Sequence, residues 1–469
     1  MSHIRTLDYK DTEILDTNDI ENLRVIANTD LSKLSIDNRG QIIVFPPKIG
    51  DHYDEIGKKQ IITLRGTSEK SIIKADDLLG YVGVNDTFLT IGTRFTGDAE
   101  EDYFLHYMLQ EVLKINIFRL PHPSSEDAVL DVLTYMLPSM LSKALRQGLL
   151  KRYSNSNRND ANIKGPVNVN RHIRYNYPFN GKIAYTYREH SADNNSTQLI
   201  RHAIEFIKTT HHKCLLKSDP ETKSNIALIE TVTPSYEKRK RQSVITANRK
   251  RNPHPYYTAY EPLLNLCIAI LEHRKVRYAP QNKLIYGILF SGSWLWEEYL
   301  NNAIFSKLHF SHPDNRKKTN AIHLFNGVVK NIADNEDIIE KEYAPRYPDY
   351  KLEKDGEVKI IVDAKYRHHS YCGDRNDLHQ LITYMYITRA RKGALIYPIG
   401  TDNDESSISK LQKEIEKPKI LAGYGGYYYR IGFEIPKYST SYLDFTNRMK
   451  NEETKLITDI QKLLNSNPL

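Results

Sequence analysis

The stretch "YPDYKLEKDGEVKIIVDAKYR", Tyr347 to Arg367, constrains this chain more than any other. Asp355-Gly356 separates two runs with strand character, so the segment is expected to fold back as a β-hairpin. The second run ends in Asp363 and Lys365, two residues apart and so on one face of a strand, with Asp349 just upstream of the first run. A two-residue Asp-Gly turn would pair Asp349 with Val362 and put it on the face opposite Asp363. A three-residue loop, Lys354–Gly356, would set Asp349 opposite Ile361, on the same face as Asp363 and Lys365 and roughly 7–8 Å away along the diagonal. The sequence leaves both turns open; the longer one is what convergent chemistry would need.

Two carboxylates at a strand end are hard oxygen ligands suited to Mg²⁺ (or Mn²⁺), which keeps several waters in its shell. Such an ion polarises a phosphate and acidifies a bound water, and a neighbouring ammonium stabilises the charge that develops on phosphorus. An isolated D-x-K is common and most often marks nothing but the solvated end of a strand. The surrounding order of elements gives it weight: helix, hairpin, apolar strand, helix, strand.

The rest of the chain is punctuated into segments. In the first hundred residues, "GQIIVFPPKIG", "QIITLRG" and "YVGVNDTFLTIGTRF" are short apolar runs cut by turn residues, a β-rich pattern. From about residue 100, "EDYFLHYMLQEVLKI" and "EDAVLDVLTYMLPSMLSKALRQGLL" have helical spacing. A polar, Asn-rich connection after Lys151 leads to a strand pair that includes "KIAYTYREHS". "STQLIRHAIEFIKTTHH", capped by Ser196 or Thr197, and "YEPLLNLCIAILEHRKV" are expected helices. "SWLWEEYLNNAIFSKL" is a further helix with Ser293 as its expected N-cap. "NDLHQLITYMYITRAR" (helix), "GALIYPI" and "YRIGFEI" (strands) and a last helix over about Ser441–Leu464 follow. The expected domains are a β-rich region over 1–100, a mainly helical region with a β-hairpin over 101–280, and an α/β domain over 281–469.

Other signals narrow the function. The 469 residues carry a net charge of +8, compatible with a polyanionic partner. Three cysteines, Cys214, Cys267 and Cys372, are far apart, which argues against a disulfide framework and for a reducing compartment. His211, His212 and Cys214 lack a second pair at zinc-ligand spacing. No apolar leader follows Met1, and the run "LLNLCIAIL" is far shorter than the roughly 18–20 residues of a membrane span. A cytoplasmic location without membrane attachment is expected. No G-x-x-x-x-G-K-[ST] occurs, so any nucleotide dependence would belong to a partner. Between Glu237 and Arg251 lie Lys238, Arg239, Lys240, Arg241, Arg249, Lys250 and Arg251. They read equally well as a phosphate-contacting segment for DNA or as a solvated charge run.

The order "LWEEYL", "PD", "DAK", "HQLITYMY" resembles the PD-(D/E)xK nuclease core. Glu297 stands in its acidic first helix, and Gln380 and Tyr384 form the Q-x-x-x-Y of its RecB-like branch. Upstream, "GYVGVNDTFLTIGTRF", "DYFLHYMLQEVL", "GPVNVNRHIRYN", "REHSADNNSTQLIRHAIEFI" and "YYTAYEPLLNLCIAIL" resemble, in order, blocks of McrC-like proteins of McrBC and LlaJI-type restriction systems, over roughly residues 40–400. "TIGTRF" stands where that family often has an I-x-P-K-like segment. The resemblance implies an α/β restriction-endonuclease-like C-terminal domain behind an α+β N-terminal region that binds a partner. It implies a Mg²⁺-dependent DNA endonuclease subunit that works with, and stimulates, a McrB-like AAA+ GTPase hexamer. Carried over, Asp349 and Asp363 are metal ligands, Lys365 is the catalytic lysine, and Gln380 and Glu297 support metal, water or phosphate. A stand-alone RecB-like nuclease and a non-catalytic adaptor for an AAA+ partner are the alternative readings.

Overall fold

In the computed structural model of the protein, the residues described are 2–37, 42–46, 55–67, 69–95, 102–113, 127–217, 219–250, 255–272, 285–312, 321–330, 337–367, 374–400, 418–423 and 425–465. The chain is mixed α/β and divides into two compact units. The first comprises Met1–Asn38, Val44–Pro121 and Ile285–Leu469, and the second Arg39–Ile43 and His122–Leu284.

Among the described residues, two five-stranded sheets lie wholly or mostly in the first unit. In one, the strands run in the order Ser2–Leu7, Thr87–Gly92, Leu78–Val84, Ile285–Ser291 and Ile42–Phe45. Ile285–Ser291 pairs antiparallel with Leu78–Val84, Ile288 facing Tyr81. A strand from the region expected to open the α/β domain therefore belongs to the N-terminal sheet. Asp11–Ile14, Ser71–Ala75 and Ile62–Gly66 form a three-stranded sheet beside it.

The second large sheet is ordered Tyr350–Lys354, Glu357–Ala364, Lys392–Gly400, Tyr427–Ile435 and Lys419–Ile420. Its three central strands are mutually parallel, and the helix Arg375–Thr388 makes the crossover between the first two. Parallel strands covered by helices are buried on both faces, which explains the uninterrupted apolar IIV before Asp363. Leu381 and Met385, one helical turn apart, pack on Ile361 and Leu395 of the sheet.

The last helix, Tyr442–Asn465, is tied to this unit by one buried carboxylate. Glu453 Oε1 accepts the hydroxyls of Tyr107 (2.8 Å) and Tyr299 (2.9 Å), from the helices Tyr103–Leu113 and Gly292–Ala303. Burial raises the Glu453 carboxyl pKa above its ordinary value, the two tyrosine hydroxyls opposing. Glu453→Ala leaves two buried hydroxyls without an acceptor and is expected to cost about 3 kcal/mol. Glu453→Gln keeps an acceptor and should cost far less. Urea denaturation of the two variants measures the difference.

The second unit is helical, with Asp127–Leu145, Asn195–Lys208, Pro220–Val232, Arg241–Arg249 and Tyr260–Glu272, and a hairpin of Arg152–Asp160 with Ile183–Ser191. Two local expectations are corrected. The Asn-rich stretch after Lys151 is itself a strand of that hairpin and also holds the helix Val169–Asn176. The cap of Asn195–Lys208 is Asn194, which accepts from Ser196 and Thr197 amides while Thr197 returns a bond to the Asn194 amide. Among the described residues no helix is long and apolar enough to cross a membrane.

Candidate active site

The hairpin settles the question of parity, though not by the longer loop. Lys354 pairs with Glu357, so the turn is the two-residue Asp355-Gly356. Both residues have positive φ, 57° and 75°, the type I′ geometry that matches strand twist. The register then slips by one: Glu353 faces Val358, but Leu352 faces Ile360. Lys359 is the extra residue of a β-bulge. Beyond it Tyr350 faces Val362, so Asp349 stands opposite Asp363 and on its face. The Ala364 amide donates to Asp349 Oδ2 at 2.7 Å, which fixes that carboxylate against the end of the neighbouring strand.

Lys365 lies between acids. Its Nζ is 2.6 Å from Asp363 Oδ2 and 3.6 Å from Asp377 Oδ1, and it donates to Gln380 Oε1 at 2.9 Å. Gln380 Nε2 donates to the Tyr384 hydroxyl (2.6 Å), and that hydroxyl donates to the Tyr347 carbonyl (3.1 Å). The Q-x-x-x-Y of the crossover helix is thus a relay from the hairpin's entry to the lysine. Burial opposes the lysine's charge, but Asp363, Asp349 and Asp377 outweigh it and raise its pKa above the ordinary value. Among these acids Lys365 is held as a protonated ammonium.

Asp349 is the strained member. Burial first, then the charge of Asp363, push its carboxyl up to about 8, against the pull of Lys365, the Ala364 amide and His312. Three acids, Asp363 and Asp377 buried and Asp349 half-buried, face one lysine and leave room for one more positive charge. Among the described residues no three His, Cys, Asp or Glu side chains form a ready-made metal cage. Two carboxylates with the remaining positions left to water and phosphate fit Mg²⁺, which is held in this way in phosphoryl-transfer sites.

Glu297 is joined to the centre at one remove. Its Oε1 is 3.6 Å from His312 Nε2, and its backbone carbonyl accepts the Tyr350 hydroxyl. His312 Nδ1 lies 2.8 Å from the Asp349 carbonyl, and the ring stacks on Tyr350 at 5.1 Å. His312 and Asp377 belong to the site but carry no motif. Asp377 could have been suspected as an acid one helical turn before Gln380; nothing in the sequence points to His312. The helix bearing Glu297 begins two residues earlier than expected, with Ser291 rather than Ser293 at its N-cap, because Asp77 takes both the amide (3.0 Å) and the hydroxyl (2.6 Å) of Ser293.

The basic segment lies in the second unit. Lys238–Lys240 is a short 3-10 turn, and Arg241 opens the helix that ends at Arg249. Arg249 pairs with Glu272, Lys240 with Glu237 (2.5 Å), and Arg241 covers the Phe206 ring at 5.7 Å. Arg239 is 89% exposed. Arg251 and Cys372 lie outside the described residues, as do the side chains of His211, His212 and Cys214.

Gln380→Ala removes the neutral partner of the Lys365 ammonium. Where cutting depends on that lysine, the rate is expected to fall about tenfold and Tyr384→Phe to have a smaller effect. Single-turnover cleavage rates of the two variants give the comparison.

Fold and site together define a mixed α/β protein with paired carboxylates and a lysine at the ends of adjacent strands of a mixed sheet. The chain belongs to the family described as McrBC 5-methylcytosine restriction system component, whose model matches residues 73–398, more than half of its length. Among solved structures it is similar to a chain of the half-complex refined from a tetradecameric assembly of Thermococcus gammatolerans McrB AAA+ hexamers with bound McrC. The TM-score is 0.46 and the identity 16%, with 97% of this chain and 100% of that chain covered. A chain of the Thermococcus gammatolerans McrBC complex, solved by cryo-EM, is similar with a TM-score of 0.31 and 15% identity, over 64% of this chain and 86% of that chain. No curated protein matches significantly.

Proposed function

We propose that this chain is the cytoplasmic DNA-cleaving subunit of a McrBC-type restriction system, with a PD-(D/E)xK site in its second sheet. The observation that carries the reading is Asp349 facing Asp363, with Lys365 held by Asp363, Asp377 and Gln380. A divalent ion, Mg²⁺ or Mn²⁺, would be held by Asp349 and Asp363 and would polarise the scissile phosphate and acidify its bound water. The Lys365 ammonium donates to a phosphoryl oxygen as charge builds on it, and Gln380 keeps the ammonium aimed. The water gives up a proton as it adds to phosphorus, the P–O bond to one sugar breaks, and the departing oxygen takes up a proton in exchange. Glu297 and His312 hold Asp349 in place from the side of the neighbouring helix.

The family membership supports an AAA+ partner, as in the Thermococcus gammatolerans assembly of McrB hexamers with bound McrC. In this reading the partner supplies GTP hydrolysis and DNA recognition. The exposed Lys238 and Arg239 are suited to phosphate contacts. The test is plasmid cleavage with Mg²⁺ by wild type and Asp363→Ala, each with and without the AAA+ partner and GTP. Cutting by wild type only, and only with partner and GTP, is the expected result. Cutting by wild type alone would make it a stand-alone nuclease. GTPase stimulation without any cutting would make it an adaptor.

A further inference from the structure

Lys365 stands just past the end of its strand, and what fixes the chain there matters as much as the lysine itself. On one side the sheet still holds it, since the Lys365 amide donates to the Ile396 carbonyl at 2.8 Å. On the other side the hold comes from far away in the sequence. Arg94, which follows the strand Thr87–Gly92 of the N-terminal sheet, donates through one guanidinium nitrogen to the carbonyl of Tyr366 at 2.8 Å.

Arg94 is itself held by a hydrogen bond, an ion pair and three rings. Its amide donates to Asp8 Oδ1 (2.7 Å), and its Nε is 3.6 Å from Asp8 Oδ2. The guanidinium carbon sits over the rings of Tyr9 (4.4 Å), Phe95 (5.2 Å) and Tyr366 (5.3 Å). Asp8 is fully buried, which makes this pair costly to form and stringent in geometry. The Tyr366 ring meets Phe95 edge-on and lies across Gly292, where an added Cβ would fall 2.5 Å from the ring and 2.8 Å from Asp77 Oδ1. Gly292 in turn donates its amide to the Asp77 carbonyl at 3.0 Å. The N-terminal sheet thus touches the residue after Lys365 and the start of the Glu297 helix together.

We propose that Arg94 is a positioning residue for the active site, holding the Tyr366 carbonyl so that the backbone carrying Lys365 keeps the lysine between Asp363 and Gln380. This rests on the nuclease reading for its consequence in catalysis, but the hold itself is measurable without catalysis. The N-terminal sheet, with Arg94 just past the end of one of its strands, then completes the site from outside the hairpin and crossover helix.

The experiment compares full-length wild type, Arg94→Ala and Arg94→Lys. Hydrogen exchange followed by mass spectrometry reads the amides of residues 364–367. Arg94→Ala should speed their exchange about tenfold beyond any rise in the rest of the same sheet, and Arg94→Lys should recover part of the protection. In the assembly with its AAA+ partner, GTP and Mg²⁺, Arg94→Ala should lower the cleavage rate at saturating DNA about tenfold, with KM for DNA and GTP hydrolysis unchanged. Exchange at 364–367 that matches wild type, or rises only in step with the whole sheet, overturns the proposal. So does a loss of cutting that is matched by an equal loss of GTPase stimulation. If wild type itself cuts nothing, the nuclease reading falls, and the exchange data still decide whether Arg94 holds this backbone.

Discussion

Asp363→Ala is expected to stop DNA cleavage, lowering the rate on the order of a thousandfold or more, while the protein stays folded. The two halves of that expectation have separate causes. In the proposed mechanism catalysis is lost because Asp363 faces Asp349 and is the closer acidic partner of Lys365, at 2.6 Å, so its removal takes away one proposed metal ligand and the lysine's aim together. Folding survives because Lys365 keeps Asp377 (3.6 Å) and Gln380 (2.9 Å), and Asp349 loses its repelling neighbour. Lys365→Ala behaves differently. It leaves three acids, Asp349, Asp363 and Asp377, without their common counter-charge, and such a change is destabilising as well as inactivating. Thermal melts of the two variants without metal should therefore show Lys365→Ala lower than Asp363→Ala, both being inactive in plasmid cleavage. Wild-type cutting by Asp363→Ala would remove the catalytic assignment.

Metal affinity is expected to rise about tenfold for each pH unit between about pH 6 and about pH 8, with roughly one proton released per ion bound. The cause is Asp349, which burial and the Asp363 charge hold protonated up to about 8. A metal ion bound as proposed, by Asp349 and Asp363, would have to displace that proton. The same shift has a consequence for stability. The folded carboxyl keeps a proton that the unfolded chain, with its ordinary value of 3.8, has already lost. The metal-free protein is therefore favoured by Asp349 below about pH 4 and loses that contribution as pH rises through about 8. Asp349→Asn keeps an acceptor for the Ala364 amide and removes the titration. It should abolish metal binding, yet raise the melting temperature of the metal-free protein above neutral pH. Calorimetric titration with Mn²⁺ at several pH values, in buffers of different ionisation enthalpy, measures affinity and proton release together. Affinity that stays flat across this range would show that Asp349 is not the proton the metal displaces.

Much of this is legible in the sequence. Asp355-Gly356 takes the positive φ angles that Asp-Gly favours, and the unbroken IIV lies where a parallel strand is covered on both faces. Gln380 and Tyr384, four residues apart, share a helix face and touch. Capping was less legible, because several hydroxyls and amides compete for one helix end. Ser293 was the obvious cap until Asp77, 216 residues earlier, claimed it. The Asn-rich strand Arg152–Asp160 was hidden because it lacks the apolar alternation that announces a half-buried strand.

By itself the sequence determined which chemistry is present: two carboxylates, a lysine and a glutamine at spacings that strand and helix periodicity bring onto shared faces. Those spacings are local, and local geometry is set by backbone sterics that each residue carries with it. The tertiary structure decided what is non-local. The Lys359 bulge, rather than a longer turn, brought Asp349 opposite Asp363. The strand Ile285–Ser291 joined the N-terminal sheet. His312, Asp377 and Arg94 came to the site from segments without a motif. Register, sheet membership and long-range hydrogen bonds are chosen by the packing of the whole unit, and no window of sequence contains that choice.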